Sequence, residues 1–588
     1  MRKNYQNIFR INLAIALLAL LQFITIDASA QKIKKFSSAK EQYALELQDF
    51  FKEITTGKEK EQTELLYADF TSNLNGGLFS DEEFKSLVDI SNSLLKKRVV
   101  EIDPWEHMLR SLILIHQNEN EKFALPWLQD LEQYAKKERS NDIRQYLQNI
   151  YFGLAEQILY TDGNIKWQAI EATWIFNFEE EASFEISDAE LWGYFKNDST
   201  IIEGTNGIYY PKKSLFNGQG GNVYWVRTGL SMDSAYATLK NFTIATDKSS
   251  FTADSVTLYS KLYLDHPLVG NFEERLSSRS EDKNASFPRF TSYDQNIEIR
   301  EIYPSVDFVG GISVIGNKFY GSGSPSKKAR LLFTFEGRPV ISAKSERILL
   351  RQDLLVSEAA QITVHLEKDS IYHPKSSLKF IPGKNQLTLN RDKEGLSATP
   401  YTDSYHDLDI YFELLSWKLN EPQLHLGSLS LGAESTVIFE SENYYRGERM
   451  QQIKGLDEIG PLMNIQKVTA LYGRNTLSLD EMAQGLRMSK EATHRFMLQM
   501  SVMSFVNYDQ ANETITVKDK LFNYIQNEKG RRDFDVIRFN SGLNGGANAS
   551  ISLLNNDMEI RGINAIALSD SQEVALFPKG RKITVHEG

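Results

Sequence analysis

The nonapeptide Phe251-Thr252-Ala253-Asp254-Ser255-Val256-Thr257-Leu258-Tyr259 reads as a strand, and its pattern sets the fold class. Phe251 and Ala253 fall on one face and Val256 and Leu258 on the other. Both faces then hold apolar side chains, as in a strand covered on both sides. Short runs of the same kind recur over residues 166–443: 184–186, 200–202, 222–226, 236–239, 331–335, 361–366, 386–389, 408–412 and 435–439. Gly, Asn, Asp, Ser and Pro divide them, so the stretch is predicted to be one long β array.

Helical patterns flank the array. Over residues 38–160, Tyr43, Leu47, Phe50, Phe51 and Ile54 fall on one face, and Phe84, Leu87, Val88, Leu94 and Leu95 make a second stripe. Ser80-Asp81-Glu82-Glu83 fits a capping box. Asp103-Pro104-Trp105-Glu106 predicts a helix start with Asp103 at the cap. Ile143, Tyr146, Leu147, Ile150, Tyr151, Leu154 and Ile158 form a last stripe. Residues 462–530 give short helices capped by Ser478 and Ser489, a hairpin over 505–517 and a closing helix. That order resembles a winged helix-turn-helix. Residues 464–530 hold eight Lys and Arg against seven Asp and Glu. Phosphate binding needs a clear positive excess, so a protein-contact or packing unit is predicted rather than a nucleic-acid reader.

The expected fold class is therefore α+β, mainly β. Residues 31–162 form a helical domain, and 163–460 a β-solenoid or stacked β-sheet array. Residues 461–533 form the winged-helix-like module. Residues 534–588 carry strands about every nine residues, read as solenoid rungs. They end at Gly588 without a visible cap, which suggests the front part of a longer protein or an edge that pairs with a partner. Residues 277–296 are the most polar part of the array and are read as a long exposed loop.

Residues 1–30 have the pattern of a secretory leader. Arg2, Lys3 and Arg10 precede an apolar run over 11–26, and Ala28-Ser29-Ala30 is a small-residue cleavage site. The run is short of the roughly 20 residues of a membrane span, so no span is expected after cleavage. The chain has 588 residues, no Cys and a net charge of −12. Disulfides and thiolate chemistry are excluded, and the acidic balance disfavours nucleic acid and anionic lipid surfaces.

No catalytic, cofactor or metal constellation is predicted. The nine histidines are scattered, with no His-Glu-x-x-His pair. Gly218-Gln219-Gly220-Gly221 and Gly321-Ser322-Gly323-Ser324 lack the helix a phosphate loop requires, and read as loops. Tyr405-His406-Asp407-Leu408-Asp409 is the densest polar cluster. In a strand it would put Asp407 and Asp409 on one face, where two carboxylates could hold a cation or act as acid and base.

The Phe251–Tyr259 run resembles the "apolar-x-Ala-Asp" rung of the OstA/LptA-like periplasmic β-jellyroll proteins that carry lipopolysaccharide. The cadence over 558–585 is similar to it. The resemblance implies open, slot-shaped stacks that shelter acyl chains. The helical front and the winged-helix-like module lie outside that pattern.

Together these readings predict a non-catalytic, exported binding or scaffold protein of a Gram-negative cell envelope. Its expected place is the periplasm or the periplasmic face of the outer membrane, in outer-membrane assembly or export. Its expected partners are envelope proteins, including outer-membrane components, with a lipid or glycan ligand and no nucleic acid. The alternative is a polysaccharide-binding or polysaccharide-processing protein on a β-helix scaffold, suited by the 11% aromatic content. A membrane barrel would need strands of about 9–11 residues, longer than most runs here.

Overall fold

The computed structural model describes residues 33–118, 120–277, 285–427, 435–454, 460–532, 537–569, 572–575 and 581–587. The leader expected over 1–30 lies outside them. The fold is mainly β, with 41% strand and 32% helix. It divides into two compact units, Met1–Val223 with Thr238–Ala253 and Arg275–Arg279, and Tyr224–Ala237 with Asp254–Glu274 and Ser280–Gly588. No helix among the described residues is long and apolar enough to cross a membrane.

The first unit opens with six helices: α1 Lys40–Ile54, α2 Lys58–Asn75, α3 Asp81–Lys96, α4 Ile102–Gln117, α5 Ala124–Lys137 and α6 Ser140–Glu156. The predicted stripes are its core: Tyr43, Leu47, Phe50, Phe51 and Leu87 are buried, the Phe50 and Phe51 rings lie against Trp105, and Tyr43 lies against Phe84. The capping box of α3 is formed, Ser80 Oγ accepting from Glu83 N and the Glu83 carboxylate accepting from Ser80 N at 2.7 Å. The start of α4 differs from expectation. Glu101 takes the cap position and Asp103 lies inside the first turn. Glu101 makes no cap bond because Arg144 holds its carboxylate at 2.5 Å.

Strands β1 Ile158–Thr161, β2 Ile165–Ile170, β3 Thr173–Phe178, β4 Ala182–Phe195, β5 Asp198–Tyr210, β6 Leu215–Gln219 and β7 Asn241–Ala245 belong to this unit, which also takes in the start of the strand Ser250–Ser260. The long β4 pairs antiparallel with β2, β3 and β5. Gly193 faces the Trp167 ring, where a Cβ would meet ring carbon at 2.6 Å. Asn149 of α6 donates to Pro211 O at 2.9 Å and so ties the helices to the strands.

In the second unit, β8 Val306–Ile315, β9 Lys318–Ser322, β10 Ala329–Phe335, β11 Arg338–Ser345, β12 Arg347–Arg351 and β13 Leu354–Leu366 pair in the order β8-β9-β12-β13-β11-β10 and back to β8. There follow β14 Asp369–Ile381, β15 Gln386–Asn390, β16 Tyr401–Asp403, β17 Leu408–Tyr411, β18 Leu414–Lys418, β19 Gln423–Gly427 and β20 Ser435–Ser441. The helical block has α7 Gly447–Lys454, α8 Pro461–Tyr472, β21 Thr476–Ser478, α9 Leu479–Leu486, α10 Lys490–Val502, β22 Val506–Asp509, β23 Thr514–Val517 and α11 Asp519–Glu528. The strands return as β24 Arg538–Leu543, β25 Ala549–Ser552, β26 Met558–Ser569, β27 Gln572–Ala575 and β28 Arg581–Val585.

Ten of these strands close into a barrel, in the order β14-β15-β18-β19-β25-β26-β24-β20-β17-β16 and back to β14. The barrel replaces the expected solenoid: of the rungs expected over 534–588, β24, β25 and β26 are barrel strands, and β27 and β28 pair antiparallel with β26. The pairings in both rings are antiparallel, whereas solenoid coils stack in parallel. The reason is local: β13 and β14 are joined by Glu367 and Lys368 alone, with Glu367 at φ +53°. A two-residue link joins only antiparallel neighbours, since parallel strands need a long crossover. Closure comes from long strands that change partner midway. β14 pairs with β16 through Ile371 and Tyr372, then with β15 through Ser377–Ile381. Between the two stands Pro374, which has no N–H to give a ladder and sits well at a register break.

Alternation fills the inside. Cross-strand partners Leu378 and Leu389, Phe380 and Leu387, Leu387 and Trp417, Leu415 and Leu426, and Leu424 and Ile551 make one continuous buried row. The loop expected over 277–296 is partly strand. Arg289–Ser292 pairs with the C-terminal half of β8, and Phe290 is buried there.

The helical block keeps the order expected of a winged helix, including the three-stranded sheet β21-β23-β22. Ser478 and Ser489 cap α9 and α10 as predicted. Its core of Leu462, Ile465, Met497, Met500, Val517 and Leu521 also takes in Leu396, from the turn before β16.

Candidate roofed groove on the barrel

The densest polar cluster of the sequence comes apart in the structure. β17 begins at Leu408, so Asp407 falls in the preceding turn, exposed and at φ +54°. His406 is buried beside Asp403, with Nδ1 2.7 Å from its carboxylate and Nε2 donating to Asn556 O at 3.0 Å. Asp407 and Asp409 therefore share no face and make no carboxylate pair. The glycine-rich segments are also not the simple loops expected. Gly218 and Gly321 lie within strands, pressed against the rings of Phe242 and Phe308. Among the described residues no group of three His, Cys, Asp or Glu could hold a metal ion.

His373, Ser376 and Tyr401 form a polar knot in the barrel wall. Ser376 Oγ lies 2.9 Å from His373 Nδ1 and 2.8 Å from Tyr401 Oη, and His373 Nε2 donates to Thr399 O at 3.1 Å. Burial drives the His373 imidazole down to about 3, so the ring is neutral. All three side chains are fully buried, which makes the knot part of the packing.

Asp409 instead anchors the helical block. Its side chain is fully buried, on the outer face of β17. Oδ2 accepts from Lys520 Nζ, and Oδ1 from Ser504 Oγ at 3.1 Å. Lys518 Nζ adds bonds to Ser504 Oγ at 2.9 Å and Thr402 Oγ1 at 3.2 Å. Burial pushes the Asp409 carboxyl up, but Lys520 and Lys518 outweigh it and hold it below the usual carboxylate range. Burial lowers the Lys518 ammonium, and Asp409 offsets only part of that. Ser504 and Lys518 flank the β22–β23 hairpin at its two feet; the carboxylate holds Ser504 directly, and Lys518 through Ser504 and its charge. Glu440, directly across from Asp409 on β20, is held by Arg449 at 3.0 Å and by Arg538 at 3.5 Å.

The anchored hairpin roofs a groove of about 640 Å³. Its floor is the bulged stretch where β13 and β14 change partners, between Ser357 and Ile362. Bulges re-aim side chains and interrupt a ladder, which opens a concavity here. Tyr320, Tyr372 and Tyr508 line it, and Lys328 Nζ meets Asp509 of the roof at 3.6 Å. Tyr508 Oη bonds His494 Nδ1 at 2.8 Å, and Tyr372 Oη accepts from Gln361 Nε2 at 2.6 Å. The Arg347 guanidinium stacks over Tyr320, 4.0 Å from the ring centre. Lys344, Arg347 and Lys375 also line the groove, without an acidic partner among the described residues, as do the carboxylates of Glu346 and Glu358.

Sequence reading did not find this groove, because its floor and roof are separated by more than a hundred residues. The signals at hand were Pro374 inside a strand-like run and the hairpin over 505–517. No protein-family model, curated protein or solved structure matches the chain.

Proposed function

We propose that the chain is a non-catalytic, exported binding and scaffold protein of a Gram-negative cell envelope, acting in outer-membrane assembly or export, with the roofed groove as its docking face. The observation that carries this reading is the anchoring of the winged-helix-like block. A nucleic-acid reader needs its recognition helix free, but α10 packs beside the turn Gly395–Ala398 of the barrel, whose Leu396 enters the block's core. The block serves as a fixed roof. The leader pattern of residues 1–30, the lack of Cys and the likeness to OstA-like rungs support the envelope setting. The packed row inside the barrel turns the search for a ligand to the outer groove rather than to an acyl-chain slot.

The test is a pull-down from envelopes solubilised in mild detergent, using tagged wild-type protein and a Tyr372→Ala/Lys375→Glu groove variant. A recurring set of outer-membrane or export components, lost with the variant, is expected. An unchanged set would remove the groove from the function. A clean monomer with nothing bound, or turnover in a broad substrate screen, would overturn the reading.

The polysaccharide reading has one specific observation in its favour: three tyrosines line a groove that also carries carboxylates and cations.

A further inference from the structure

Resting on the reading of the roofed groove as the binding face, we propose that this groove binds an acidic oligosaccharide, a sugar chain carrying carboxylate groups. Three features of the lining point to that chemistry. Tyr320 and Tyr372, both half-buried, bring aromatic surface into one cavity, and aromatic rings pack against the C–H faces of sugars. Glu346 and Glu358 add carboxylates, which accept hydrogen bonds and so match sugar hydroxyls. Lys344, Arg347 and Lys375 add donors that no acidic side chain neutralises among the described residues.

The balance of charge selects the class. Lys328 and Asp509 neutralise one another across the roof. Three cations then face two carboxylates, a local positive excess in a chain of net charge −12. A densely charged polyanion would be repelled by Glu346 and Glu358. A neutral sugar would give Arg347 hydroxyl acceptors but no counter-charge. A polyol with spaced carboxylates satisfies both sets, and a carboxylate can take the guanidinium edge in the paired geometry that Arg favours. The cavity of about 640 Å³ lies within the usual range of ligand sites. The Asp409 cluster keeps the roof in register, so the groove is preorganised and less is lost in ordering it on binding.

The experiment is titration calorimetry on the full chain with a short oligogalacturonate and with its carboxyl-reduced, neutral counterpart. The acidic chain is expected to bind roughly tenfold more tightly, the usual worth of one charge-assisted contact. Arg347→Ala is expected to abolish that preference, and Tyr372→Ala to weaken both sugars. Arg347 is exposed, so its removal leaves the fold intact, which circular dichroism verifies. Equal affinity for the two sugars, or an acid preference unchanged in Arg347→Ala, overturns the proposal. If neither sugar binds while envelope capture persists and still depends on Tyr372 and Lys375, the sugar assignment alone falls. If capture fails as well, the docking-face reading falls with it.

Discussion

Replacing Asp409 by Ala should release the roof. The wild-type cluster places one carboxylate against two lysines, with Asp409 fully buried and the Lys520 side chain 2% exposed. Removing the acid strands Lys520 in a dry site and strips Lys518 of the neighbour that favours its charge. Breaking a buried pair from one side costs about 3–5 kcal/mol, because the remaining charge is uncompensated. The loss should fall on the helical block, since Ser504 at one foot of its hairpin and Lys520 just beyond the other bind the same carboxylate. Hydrogen exchange over residues 490–530 is the assay, with urea unfolding as the global measure. The expected result is faster exchange across α10, the hairpin and α11, with the first unit unchanged. A paired Asp409→Asn/Lys520→Met variant removes both charges together and should recover most of the loss. A cost below about 1 kcal/mol for Asp409→Ala, the range of an exposed pair, would refute the reasoning.

Three further outcomes follow from single contacts. His373 is held neutral to about pH 3, so its contribution is complete above about 6.5 and falls away as the pH drops between the two. Urea midpoints at pH 7 and pH 4 should show an acid loss, approaching about 1.4 kcal/mol per pH unit for this group, that His373→Gln lacks. Gly193→Ala drives a Cβ into the Trp167 ring and should cost about 1–3 kcal/mol, read in the thermal midpoint of the first unit. Ser80→Ala removes the capping box of α3 and should cost about 1 kcal/mol by denaturant titration, with Ser80→Gly milder.

Local patterns were legible in the sequence where local physics decides the outcome. The box at Ser80 and Glu83, the caps at Ser478 and Ser489, and the helical stripes around Tyr43 and Ile143 stand where residue spacing places them. The strands were legible as strands, but their partners were not. Alternation gives the buried face of a strand and is silent on which neighbour it pairs with. Parallel solenoid and antiparallel barrel therefore look alike until the two-residue link at Glu367 and Lys368 is weighed. The clustered acids misled for a related reason. Asp407 and Asp409 share a face only if both lie in the strand, and a left-handed turn at Asp407 ends that condition. Asp409 found its partner 111 positions away at Lys520, a distance no spacing rule spans.

The most direct test of the fixed roof is a distance measurement. The chain has no native cysteine, so spin labels at Glu358→Cys on the floor and Asn512→Cys in the hairpin turn report on the groove alone. Pulsed electron resonance should give one narrow distance distribution, retained in Asp409→Asn/Lys520→Met and broadened in Asp409→Ala. A broad or two-peaked distribution in the otherwise unaltered protein would show a swinging roof and contradict the account.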